Sequence, residues 1–130
     1  MTITVFIARF FSLSLLAIGL SHAIQPKLWL NFFILIKKSG VAGIIIAMFT
    51  LPVGLMIIAG HNIWVFDVPV IITFCGWSMT IKSLIYALIS GSAEKIIPDD
   101  VNAHRKYAWV GVGIIPLSLL LIWDSFFRVL

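Results

Sequence analysis

The chain has 130 residues, is 62% hydrophobic and 11% charged, and carries a net charge of +4. Soluble domains are roughly 45–50% apolar and about 25% charged, and a chain this short cannot bury so large an apolar share in a water-soluble core. Lipid is the solvent that fits. The basic residues are spread among apolar runs and form no basic face, which argues against a nucleic-acid surface.

The expected fold is all-α: a single polytopic transmembrane domain over 1–130, with four transmembrane helices in a compact bundle and a short interfacial helix after the first. The first span covers 4–24, long enough for a hydrocarbon core of about 30 Å, which needs about 20 residues. The same segment has features of a secretory signal: an apolar run over 10–20 and small residues at Ser21 and Ala23. Only Arg9 supplies early positive charge, so a retained span is the reading carried forward.

Residues 26–38 (PKLWLNFFILIKK) are apolar but too short to cross. Lys27, Asn31 and Lys38 share one helical face, and Pro26 suits a first helical turn. This spacing predicts a helix lying in the interface plane. The second span covers 41–59, with Ser39 as its expected cap, Gly60 at its end and Pro52 as an expected kink. Gly43 and Ala47 make a small-xxx-small pair that permits close helix approach.

Asp67 and Pro69 read as the cap and first turn of a third span over 68–90. Asp99 or Asp100, beside Pro98, starts a fourth over 100–127, with Pro116 inside it. The runs TLPVGLMII (50–58) and IIPLSLLLI (114–122) suggest a duplicated helix hairpin. The connections disagree, since Pro26 precedes Pro52 by 26 residues and Pro98 precedes Pro116 by 18.

Four spans put both termini on one side. That side holds Arg9 and Arg128; the other holds Lys27, Lys37, Lys38, Lys95, Arg105 and Lys106. The positive-inside rule then places both termini outside the cytoplasm. Trp29, Tyr107 and Trp109 fall at one interface, Trp64 and Trp123 at the other, and Trp77 near mid-span.

Ionisable groups inside spans are costly and draw attention first. Lys82 shares an i+4 ridge with Ser78, Tyr86 and Ser90, and Cys75 lies three residues before Ser78. Such a ridge is expected to face other helices or a cavity, although a snorkelling lysine gives the same pattern. Arg9 sits at the predicted depth of Asp67, so an Arg9–Asp67 pair is expected, with Asp124 the other candidate acid. His22 and His104 belong to one side and His61 to the other, which leaves no metal-ligand cluster. No glycine-rich phosphate loop or nucleophile constellation occurs, so no catalytic residue, metal or cofactor is expected.

The stretch GLSHAIQPKLW (19–29), followed by a span bearing proline and glycine, resembles small bacterial inner-membrane proteins of no assigned activity. A helix, a Pro-x-x-Trp connection and a second helix recur among them. The four-span plan is similar to the DoxX-like group. The resemblance covers the first half of the chain; it implies location and fold class and carries over no functional residue. The expected activity is a non-enzymatic membrane subunit or scaffold, partnered by the bilayer and by other membrane subunits or further copies of itself. A small transporter or channel working as a homo-oligomer is the alternative.

Overall fold

The computed structural model describes residues 2–98 and 100–128, with the backbone alone at Val101. Its helices are α1 (Ile3–Ile24), α2 (Pro26–Ser39), α3 (Ala42–Gly60), α4 (Pro69–Leu88) and α5 (His104–Trp123). A 3-10 turn, Val101–Ala103, leads into α5, and a π turn, Asp124–Arg128, ends it. No strand occurs among the described residues. α1, α3, α4 and the α5–π segment are long and apolar enough to cross a membrane. Only 28% of each spanning window is buried inside the bundle. The apolar remainder of each therefore needs lipid to cover it, and the chain is a multi-pass membrane protein.

Local chemistry sets the boundaries. Thr2 caps α1, its hydroxyl accepting from the Val5 amide at 3.2 Å. Gly40 ends α2 at φ 79°, a left-handed conformation that glycine adopts without strain. The cap of α3 is a correction to the sequence reading. Ser39 is the last residue of α2, and its hydroxyl accepts from the Val41 amide at 3.3 Å just before α3, while the first helical amide, Ala42, is taken by Glu94 Oε1 at 3.1 Å, from the loop before α5. Asp67 accepts from the Val68 amide at 2.8 Å, and Asp100 from the Asn102 amide at 2.9 Å. Asp99 lies outside the described residues. Pro52 and Pro116 sit inside unbroken helices on exposed faces. The carbonyls they deprive of a partner, at Met48 and Val112, belong to exposed residues.

The helices pack as two intimate pairs, α1 with α5 and α3 with α4. Each pair closes on small residues. Gly19 and Gly111 bring the backbones of α1 and α5 together, and Gly54 and Gly76 do the same for α3 and α4. Gly43 lies against the Tyr86 carbonyl, so the Gly43–Ala47 pair faces α4 as its spacing suggests. The pairs meet in a core of Ile7, Ala8, Phe11, Ile57, Ile72 and Leu121 near the termini. A second core, of Ile36, Ala42, Ala93 and Ile97, closes the other end.

The packing shows a partial recurrence at the spacing of the two proline runs. Pro116 follows Pro52 by 64 positions, and burial recurs at that spacing. Buried Ala8, Ser12 and Gly19 of α1 match buried Ile72, Gly76 and Ser83 of α4. Ala47, Gly54 and Ile57 of α3 match Gly111, Ser118 and Leu121 of α5. Contacts recur too. Arg9 Nε donates to the Ser125 carbonyl, and Thr73 Oγ1, at the matching position, donates to the carbonyl of His61, which matches Ser125. Gly19 packs on Ile114 as Ser83 meets Thr50. The unequal connections have a simple cause: the first hairpin inserts α2 where the second has turns.

α2 itself has three faces. Leu30 and Ile36 are buried, and Pro26, Trp29, Phe33 and Lys37 are half-buried against the bundle. Lys27, Asn31 and Lys38 form an exposed polar strip, and Leu28, Phe32 and Leu35, at i, i+4 and i+7, an exposed apolar one.

Candidate functional site

The residues singled out on α4 divide between two faces. Ser78 and Lys82 are exposed on the outside of the bundle, and Ser90 is exposed beyond the helix end. Cys75 and Tyr86 are half-buried, Cys75 against the terminal core and Tyr86 against the second one. The ridge therefore does not point as a unit at another helix. The face that α4 gives to α3 is Thr73, Gly76, Thr80 and Ser83, which are buried. Thr80 satisfies its hydroxyl on the Gly76 carbonyl at 2.8 Å, and Ser83 bonds Thr50. Close backbone approach selects for small side chains here. The Gly-x-x-x-Thr-x-x-Ser spacing was the sequence signal for that face.

Arg9 and Asp67 also resolve differently from their expected pairing. Asp67 pairs with Arg128, whose Nε stands 3.3 Å from Asp124 Oδ1. Arg9 turns toward the π turn, where its Nε reaches the Ser125 carbonyl at 3.1 Å. Its guanidinium also stands 4.6 Å from the centre of the Phe126 ring. The π turn explains the exchange. It carries Asp124, Ser125 and Arg128 into reach of α1 and the α3–α4 connection together.

These groups border a buried polar cluster. His61, Thr73, Asp124 and Ser125 are all at least 95% buried. A cavity of about 140 Å³ opens between Thr4, Ala8, His61, Pro69, Asp124 and Ser125. Thr4 Oγ1 donates to the Gly60 carbonyl at 2.8 Å. The Thr73 hydroxyl donates to the His61 carbonyl at 2.8 Å and accepts from the Ile63 amide at 3.0 Å. His61 Nδ1 is 3.4 Å from the same hydroxyl. Burial lowers the His61 pKa below the ordinary 6.5; a hydrogen bond to its own backbone and the Asp124 charge act the other way. Sequence reading passed over His61 because it treated the histidines only as metal ligands.

The opposite end is aromatic. His22 stacks on Trp29 with ring centres 4.1 Å apart, and Phe33 stacks on Tyr107 at 5.5 Å. Trp29 Nε1 donates to Ser21 Oγ at 2.8 Å, pinning α2 to α1. An open cavity of about 400 Å³ lies beside it, lined by Gln25, Pro26, Lys27 and His104. At the terminal end Asn62 Oδ1 accepts from both Trp64 and Trp77. Trp77 thus belongs to that interface although its place in the sequence suggested mid-span.

The polar cluster holds one imidazole, one carboxyl and two hydroxyl groups. Among the described residues it includes no thiol, and no three potential metal ligands gather anywhere. No known protein family, no curated protein and no solved structure matches the chain.

Proposed function

We propose that the chain is a non-enzymatic subunit or scaffold of a bacterial inner membrane, with the DoxX-like four-span plan and both termini outside the cytoplasm. The observation that carries this reading is the closed interior. Cavities of about 400 and 140 Å³ sit at opposite ends, and α1, α3, α4 and α5 pack on Ile7, Ile57, Ile72 and Leu121, each at most 2% exposed. Glycine contacts seal both helix pairs. A single chain of this kind offers lipid and neighbouring proteins an apolar outer surface, not a passage.

The three faces of α2 support its place at the cytoplasmic interface. One face holds the bundle, the leucine and phenylalanine strip suits acyl chains, and Lys27, Asn31 and Lys38 suit headgroups. One observation favours the alternative of a homo-oligomeric transporter or channel: Lys82 and Ser78 expose polarity on a face otherwise given to lipid. A second copy covering that face would create a pathway that one chain lacks. Flux into proteoliposomes made with purified protein separates the two. The subunit reading expects proton, potassium and small-anion leakage equal to that of empty vesicles. A saturable flux that Lys82→Met abolishes would overturn it.

A further inference from the structure

We infer that His61 and Asp124 form a proton-binding site around the cavity at the terminal end of the bundle, independently of whether the chain is a scaffold or a transporter. Three features of the geometry lead there. First, Asp124 is 5% exposed, and its Oδ1 has no hydrogen-bond partner although Arg128 Nε lies at 3.3 Å. The guanidinium is near enough to balance charge but is not aligned to fill the oxygen's lone pairs. A buried carboxylate oxygen left so is costly, and the cavity beside it has room for water.

Second, the hydrogen bonds fix which nitrogen of His61 is the base. The Thr73 hydroxyl has one proton, and it goes to the His61 carbonyl. Toward His61 Nδ1 that hydroxyl can only accept, so Nδ1 carries the hydrogen of the neutral ring. Nε2 is left with its lone pair, and the incoming proton forms its new N–H bond there. Hydronium from the adjoining solvent delivers the proton and leaves water, and the Asp124 charge favours the imidazolium that results.

Third, the charges around the site leave that proton a place. Arg128 from the π turn is shared by Asp124 and by Asp67 of the α3–α4 connection. Arg9 from α1 is engaged on Ser125 and Phe126. Asp124 is the charged group acting on His61, and it favours the protonated ring. The site also spans both hairpins. His61 and Ser125 occupy matching positions of the repeat, and the position of Asp124 matches Gly60. At this spacing the acid and the base each occur in one half only.

The test is a pH titration of ring-labelled histidine in the full chain in lipid nanodiscs, read by nuclear magnetic resonance. In the native protein at high pH, His61 should show the Nδ1–H tautomer. Asp124→Asn should move its protonation midpoint down by about one pH unit. An unchanged His61 midpoint in a folded Asp124→Asn protein would overturn the site. An Nε2–H tautomer in the native chain would overturn it without any variant, so a misfolded Asp124→Asn does not leave the question open.

Discussion

Gly111→Ala tests the packing of α1 on α5 directly. A Cβ at Gly111 would stand 2.5 Å from the Ala23 amide nitrogen, 2.6 Å from the Gly19 carbonyl oxygen and 2.8 Å from His22 Cβ. Two of these are backbone atoms and cannot rotate away, so the helices must separate. Overpacking costs about 1–3 kcal/mol when side chains can yield, and a backbone clash belongs at the upper end, about 3 kcal/mol. Gly113, two residues on, supplies the control. A Cβ there meets nothing within 4 Å, so Gly113→Ala should gain about 0.5–1 kcal/mol of helix propensity. The two alanine variants should differ by about 3–4 kcal/mol, which is more than a hundredfold in the unfolding equilibrium. Reversible unfolding in mixed micelles measures it. Equal stability of the two variants would refute the close α1–α5 contact. The repeat sharpens the comparison, because Ala47 already stands at the position matching Gly111 and is accommodated between α3 and α4.

Other outcomes follow from single contacts. Glu94→Ala removes the only side-chain cap seen on α3 among the described residues and should cost about 1 kcal/mol, read in the same unfolding assay. Lys82→Met removes a charge from an exposed face and should shift stability by no more than about 0.5 kcal/mol. A monodisperse, native-like variant is the expected result. His61 is harder to protonate when folded, so as pH falls the unfolded chain takes its proton first. Its contribution is therefore complete above about pH 6.5 and is lost as pH falls through the lower folded-state value. The unfolding midpoint should fall with acidification across that window, and His61→Gln should flatten the slope.

The spans were legible because lipid imposes one rule on the whole chain: long apolar helices, interrupted only at polar connections. The 14-residue α2 was legible for the same reason, being too short to cross. Which face of α4 turns inward was not. Ser78–Lys82–Tyr86 and Gly76–Thr80–Ser83 are both helical stripes, and polarity attracted notice where smallness decided the packing. The cap on α3 was hidden because Glu94 reaches it across 52 residues of chain. Arg128 took Asp67 from Arg9 through a π turn that no local pattern announces. The repeat was half-legible: two proline runs marked it, and part of the burial pattern recurs at their 64-residue spacing, while connection lengths obscured it.

The four crossings themselves are best tested by cysteine labelling in sealed vesicles of known orientation. In a Cys75→Ser background, Thr2→Cys and Asn62→Cys should react with an impermeant reagent on one side. Lys38→Cys and Lys95→Cys should react only on the other. The sequence charge bias assigns the first pair to the outside, and reversal of both pairs would change the orientation while keeping the bundle. Labelling of Lys38→Cys and Asn62→Cys from the same side would mean that α3 does not cross, and the four-span account would be wrong.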